Sequence, residues 1–568
     1  MQNITITVSQ AGTAAARTFA YKIQIDGIVQ SERTLTPVQT QQVLETASQY
    51  FSLQQNAAAA GAKDYLPILR SGLFHLFFEA GGQDLAAKIL PGARLTIASP
   101  IAEVLQLPWE LLHLSSSPDD SDCFPVIRQP SIAEGLIASS TPLMPGPLRV
   151  LFLAAEPLDY EEEEQSMLKV AEGLDIALSI CESGSWEELK EMAKSFRPHL
   201  VHLAGQAKVS GGTAVFSMQA ATDRADLRKA DELAAALKES GTVAIILSGR
   251  QRENPSAIHL LSQKLAESIP LAVAWNAPTS ASKSLHQSLA AGRSMDEALL
   301  SVRREIAVAS AISSTQVSVP AMYSLYDLPR IYDPQERAAT TPPCRELLAL
   351  PGLTHGRAEC FVDRRRDLQQ LAVALREGSM QTLILTGLDG SGKSTLATYI
   401  ARQMTQAGYS VLAVYGSPHN RISSARILET AVGHLSAMGQ EALAKSLKDP
   451  GRSVRERQKS LLDAMKTSRI LMVWDDLRLD EKTGKISDPD LAEFYMLMLR
   501  GMTAGRTIIT CEKLPVDALS LPAKAMQWKL EGLDQAAFIR YLLQDERTAD
   551  RYKKGEITYA QLAAHYHA

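Results

Sequence analysis

The sequence predicts an α/β protein with two regions built on parallel sheets. Three observations carry that prediction. From Leu148 to Ala309, short apolar runs alternate with amphipathic runs of helical length, the rhythm of strand–helix–strand units. Leu383 to Thr395 reads Leu-Ile-Leu-Thr-Gly-Leu-Asp-Gly-Ser-Gly-Lys-Ser-Thr, an apolar strand running into G-x-x-x-x-G-K-S and then into a helix-forming run, Leu396 to Met404. Arg469 to Asp476 is a second apolar run, and it ends in two acids.

Each element follows in chain order. Asn3 to Val8 and Phe19 to Ile25 alternate like the arms of a hairpin, with a Gly/Ala segment between them. Thr36 suits an N-cap and Pro37 a first helical position, ahead of apolar residues at helical spacing up to Leu53. Leu66 to Leu90 reads as further helix and Leu95 to Ala98 as a short strand, before Leu107-Pro-Trp-Glu-Leu-Leu112. Strands are then expected at Leu148–Ala154, Asp175–Cys181, Leu200–Ala204, Val243–Leu247 and Leu271–Ala274, with helices between them. The proline-bearing, aperiodic stretch 331–357 reads as a linker. Past it, strands are expected at Arg506–Thr510 and Met526–Leu530.

Composition excludes several classes. The 568 residues are 45% hydrophobic and 21% charged with a net charge of −5, which argues for folded domains and against a general nucleic-acid binder. The five cysteines are odd in number and scattered without C-x-x-C, which suits a reducing cytoplasm and argues against a disulfide frame or a zinc site. No basic-then-apolar leader pattern opens the chain, and the longest uncharged run, Ile306 to Tyr326, is too polar for a membrane span.

The phosphate-loop pattern specifies its own chemistry. Glycines at 387, 390 and 392 let successive backbone N–H groups face phosphate oxygens, with Leu388, Asp389, Ser391 and Thr395 completing the turn. Lys393 would reach the β- and γ-phosphates of ATP, or the β-phosphate of ADP, and the Ser394 hydroxyl would hold Mg²⁺. Asp475 would order the water shell of the metal, and Asp476 would polarise an attacking water.

Two resemblances extend this reading. Cys360-Phe-Val-Asp-Arg-Arg-Arg-Asp-Leu368, the phosphate loop, the strand ending at Asp475-Asp476, Ala504-Gly-Arg-Thr-Ile-Ile-Thr-Cys-Glu512 and Trp528 to Asp534 together resemble, in order, an NB-ARC-type ATPase of the STAND class. That resemblance implies that Val362 and Arg364 pack against the adenine and that Arg506 belongs to the nucleotide-sensing segment. It also implies that a G-x-P segment and a winged helix would follow Ala568. The family's sensor arginine is Glu512 here.

The first half resembles a CHAT domain, a caspase-like α/β sandwich. The resemblance rests on Leu107–Leu112, Leu148–Pro157, Arg197–Gly205, Ser294–Leu299 and Val319–Leu325. The positions of the family's catalytic pair hold Gln206 and Arg250. Glutamine takes no proton near neutral pH, and arginine is a fixed cation with no nucleophilicity. The expectation is therefore a pseudo-protease over residues 1–330 (1–145 and 146–330 as its two parts) followed by an incomplete nucleotide-binding module over 358–568. The resemblances imply a nucleotide-gated regulatory protein of a bacterial defence or cell-death system. Its first domain would dock a protein partner, such as an active protease of the same kind, and the protein would form a homo-oligomer on activation. Two alternatives stand beside this: an active protease using His202 and Cys181, and a P-loop ATPase with steady turnover.

Overall fold

The computed structural model describes all residues except 1, 12–16, 56–61, 78–84, 86–87, 91, 113–123, 133–135, 139–141, 156–159, 182–183, 220–225, 250–253, 277–281, 313–318, 328–329, 338–361, 363, 418, 501–503, 518–519 and 568. The chain forms two compact units. The first comprises Met1–Gln219, Asp226–Pro343 and Arg547–Leu562, and the second Cys344–Glu546 with Ala220–Ala225 and Ala563–Ala568. Both are α/β.

An 11-stranded sheet forms the first unit. Its strands lie in the order Ile28–Thr34, Thr18–Ile25, Asn3–Ala11, Arg94–Ala98, Val126–Gln129, Ala321–Tyr323, Leu271–Trp275, Ala244–Ser248, Leu200–Ala204, Leu148–Ala154 and Ile176–Cys181. The expected hairpin is present, with Ile4 opposite Ile25 and Val8 opposite Tyr21. The Leu148–Cys181 and Leu200–Trp275 strands are parallel and buried on both faces. Leu151, Leu153, Val201 and Leu203 pack into one core, and Val150, Phe152, Leu200 and Ala204 into the other. That two-sided burial is why these strands read as continuous apolar runs rather than alternating ones.

The two expected parts of the first half share this one sheet. The seam is the pairing of Tyr323 with Arg128, and the Leu107–Leu112 motif locks it. Trp109 is fully buried and donates its indole N–H to the Val104 carbonyl at 2.8 Å. Glu110 forms a bidentate, buried ion pair with Arg128, Nη2 to Oε2 at 2.6 Å, and the same Nη2 donates to the Leu107 carbonyl at 2.9 Å. The guanidinium lies over the Tyr323 ring, 5.7 Å from its centroid. Buried charges persist only when paired and hydrogen-bonded, and these are.

The structure differs from expectation in three places. An antiparallel meander, Gln206–Ser210, Thr213–Met218 and Asp226–Lys229, follows the Leu200–Ala204 strand. The segment read as the start of the linker belongs to the first unit: Ile331 and Tyr332 are buried and Asp333–Arg337 pairs with Pro145–Gly146. Arg547–Leu562, placed by sequence with the nucleotide module, also packs in the first unit. There the buried Tyr552 hydroxyl donates to the Leu168 carbonyl at 2.8 Å.

The second unit holds a five-stranded sheet, all parallel, in the order Ser410–Tyr415, Ile470–Leu477, Arg506–Cys511, Thr382–Thr386, Ala525–Lys529. The Thr382–Thr386 strand is fully enclosed by neighbours, so the loop leaving it emerges at the carboxyl edge of the sheet, where ligands of open α/β sheets sit. Helices Ser424–Ala437, Glu441–Lys448 and Val454–Thr467 pack beside the Ser410–Tyr415 edge, the last with a Ser453/Glu456 capping box. Among the described residues no helix is long and apolar enough to cross a membrane.

Candidate nucleotide site

The phosphate loop has the backbone its glycines allow. Gly387, Gly390 and Gly392 sit at φ of 153°, 82° and 89°, values that a side chain disfavours. At Gly387 a Cβ would also lie 2.8 Å from the Leu530 carbonyl oxygen. The helix Lys393–Gln406 starts directly from Gly392, so its N-terminal amides face the loop. Lys393 is 8% exposed, and its ammonium donates to the loop's own carbonyls, Gly387 O at 2.9 Å and Leu388 O at 2.7 Å. The Ser391 hydroxyl is buried with no hydrogen-bond partner.

The loop faces a cavity of about 950 Å³. Its lining includes Val362, Arg364, Gly387 to Gly392 and Thr395, all of them residues nominated from the sequence. The far wall was missed: Glu512, Lys513, Leu514, Gln527, Lys529 to Leu533 and Tyr541. The only sequence signal for that wall was the resemblance of Glu512 and of Trp528 to Asp534 to family segments, which did not say which side chains face inward. Gln527 Nε2 donates to Thr386 Oγ1 at 3.0 Å, and Arg364 donates to the carbonyls of Glu531 and Ser391.

The two acids lie at the end of the strand Ile470–Leu477, one strand removed from the strand that leads into the loop, and outside the lining of that cavity. Asp475 is 2% exposed and accepts from Thr510 Oγ1 at 2.7 Å. Asp476 turns left-handed at φ 61°, and its N–H donates to the same Thr510 oxygen at 2.8 Å. Gly416 is required opposite this turn, since a Cβ there would come within 2.3 Å of the Asp476 carbonyl oxygen. The Asp476 carboxylate accepts from Arg478 Nε at 3.0 Å. Burial pushes the neighbouring Cys511 thiol up to about 12, so it stays neutral even though Lys393 pulls the other way. Ser394 opens the helix, and its carbonyl accepts from Thr398.

Arg506 is not brought to the cavity. It is 5% exposed, donates to the carbonyls of Leu375, Ala504 and Gly505, and lies over the Tyr409 ring at 5.8 Å. A cation buried at the start of a strand is satisfied by nearby carbonyls, so here it ties that strand to the helix Arg365–Glu377 rather than reading phosphate.

The two positions that the CHAT resemblance assigns to a catalytic pair, 206 and 250, are partly described. Gln206 is half-buried at the start of the meander, opposite Ser217. Arg250 lies outside the described residues. The strand ends that carry the two positions do converge: Gly205 donates to Ser248 O at 2.8 Å, and a Cβ on Gly249 would lie 2.2 Å from Gly205 O. Beneath them His202 Nε2 and Ser248 Oγ are 2.7 Å apart, both buried. Desolvation, with a smaller push from His286, holds His202 down to about 3. Cys181 cannot join it. Cys181 is in register with Leu153 and so with Leu203, two strands away, a separation of about 10 Å. It packs with Leu153 and Leu203 on one face, whereas His202 meets Phe152 on the other.

Known structures offer distant likenesses. The Aeropyrum pernix ORC1 protein in complex with DNA is 18% identical at a TM-score of 0.25, covering 34% of this chain and 50% of that one. A DNA replication initiation factor is 16% identical at 0.19, covering 36% and 61%. This chain thus spans half to three-fifths of those chains, and scores this low add nothing to the argument. No curated protein matches the sequence. A family model does: residues 364–492, the stretch holding the phosphate loop and both acids, are similar to the NB-ARC domain.

Proposed function

We propose that the chain is a nucleotide-gated regulatory protein whose second unit binds ADP or ATP with Mg²⁺ and whose first unit acts by docking rather than by cutting. One observation carries the nucleotide reading. A strained glycine loop, capped by a helix N-terminus, faces a cavity of ligand size, and its lysine is held by replaceable loop carbonyls and, at 3.9 Å, by the exposed Asp389 carboxylate. The residues fit the ligand. Lys393 would exchange Gly387 O and Leu388 O for phosphate oxygens, the unpartnered Ser391 hydroxyl would gain an acceptor, and Ser394 and Asp475 would hold the metal and its water. The NB-ARC similarity over 364–492 supports this. The Arg478–Asp476 ion pair favours a slow switch over a steady-turnover ATPase, because Asp476 must leave its guanidinium partner before it can orient an attacking water.

The pseudo-protease reading of the first unit, its protein partner and a bacterial defence or cell-death setting rest on the CHAT resemblance and on Gln206 and Arg250. The placement of His202 and Cys181 on opposite faces of the sheet supports only the loss of proteolysis by that pair. The test is thermal unfolding of the purified chain with and without ADP–Mg²⁺ and ATP–Mg²⁺. Saturating nucleotide should raise stability by about 3–4 kcal/mol at 100 to 1,000 times Kd, and Lys393→Ala should remove the rise. No shift in the wild type sinks the switch. Pull-down with mass spectrometry tests the docking role, and peptide cleavage by the intact chain would refute it.

A further inference from the structure

We propose that Tyr541 is the platform on which the base of the bound nucleotide stacks, and so the residue of this chain that holds the base end of the ligand. The inference rests on the nucleotide reading above. The loop and the helix N-terminus at Lys393 fix where phosphates go, so the ribose and base must extend along the rest of the cavity. The wall available there is the segment after Gln527, then the helix Gln535–Leu542.

A base offers two flat, polarisable faces and needs a flat, apolar surface to stack on. Among the described residues lining the cavity Tyr541 is the single aromatic. It is 50% exposed, unusual for a large aromatic on a helix whose Ala536, Ala537 and Ile539 are all buried. The helix is anchored at its start, where Asp534 accepts from the Ala537 N–H at 2.8 Å. The tyrosine is therefore held by a fixed element with its ring uncovered. Val362 and Leu533 supply aliphatic edges beside it. The charged side chains of the lining balance: Arg364, Lys513 and Lys529 against Asp389, Glu512 and Glu531. Net charge over the whole lining therefore does not select the ligand, which leaves shape and stacking to do so.

The test is isothermal titration of the nucleotide-free full chain with ADP, CDP and inorganic pyrophosphate. Wild type, Tyr541→Ala, Tyr541→Phe and Lys393→Ala are compared. Base–aromatic stacking predicts that Tyr541→Ala weakens ADP by about five- to a hundredfold. Pyrophosphate binding should be unchanged in that variant, Tyr541→Phe should keep ADP affinity, and wild type should prefer ADP to CDP. ADP binding untouched in Tyr541→Ala but lost in Lys393→Ala overturns the stacking role alone. ADP and pyrophosphate weakened together by Tyr541→Ala overturns it too, since the residue would then be acting on the loop. A wild type that binds neither ligand overturns both the stacking role and the nucleotide reading.

Discussion

The strands Ala244–Ser248 and Thr382–Thr386 each run fully buried to a glycine at positive φ, and there the likeness ends. Beyond Gly387 the backbone opens onto a cavity, and the nearest cation is held by carbonyls that water or phosphate can replace. At Gly249 the backbone is shut against Gly205, and the polar groups beneath, His202 Nε2 and Ser248 Oγ, pair with each other out of reach of solvent. The contrast teaches that a site needs vacant space and exchangeable partners. A histidine beside a hydroxyl is not enough.

Acid should separate the two regions most widely. His199, His202 and His259 in the first unit are each held down to about 3, in every case chiefly by burial. His199 and His259 are further depressed by Arg149 and Arg128, and His202 by His286. A histidine kept neutral when folded but free to protonate when unfolded contributes fully above its ordinary 6.5, and that contribution falls away as pH drops toward 3. At pH 5 the loss is on the order of 2 kcal/mol per histidine. Among its described residues the second unit has one such depressed group, the half-buried His434. Melts at pH 7.5 and pH 5 should therefore show the first unit failing before the second. Simultaneous loss would break the contrast.

Next in size is the buried ion pair. Glu110→Ala strands the Arg128 charge and should cost about 3–5 kcal/mol in urea unfolding, whereas replacing both residues with apolar ones of similar volume should recover most of that. Glycine substitutions probe the shut and open ends directly. Gly249→Ala combines a disfavoured φ with backbone overlap and should cost about 2–4 kcal/mol. Gly390→Ala, with nothing within 4 Å of the added methyl, should cost about 1 kcal/mol. Equal losses at the two positions would refute the difference in closure. The smallest expected effect concerns which nucleotide the open end prefers. Glu512→Arg removes an acid from the cavity wall and should shift the ATP-to-ADP affinity ratio about tenfold toward ATP, read by titration.

Much of this was visible in the sequence, for identifiable reasons. Doubly buried parallel strands leave long apolar runs, so Leu148–Ala154 and Ile470–Leu477 could be placed within a residue or two. The phosphate loop was legible because its glycines and lysine have few other uses together. Val126–Gln129 and Ala321–Tyr323 were not, because three or four residues are too few to show a period. The far wall of the cavity was hidden because Lys513, Gln527 and Tyr541 are ordinary surface residues until the sheet brings them opposite the loop. Arg506 misled for the converse reason: a family position was filled by the right residue type, yet its guanidinium is spent on backbone carbonyls.

Arg364 gives the cavity a mechanical property. Its guanidinium donates to Glu531 O on one wall and reaches Ser391 O on the other at 3.5 Å. It therefore works as a strut whose length is that of a single side chain. Anything that lifts the loop must stretch that strut or carry the 531–541 wall along with it. The two walls therefore have a shared compliance, and hydrogen exchange at Ser391 and at the turn after Lys529 should slow together when the loop is filled.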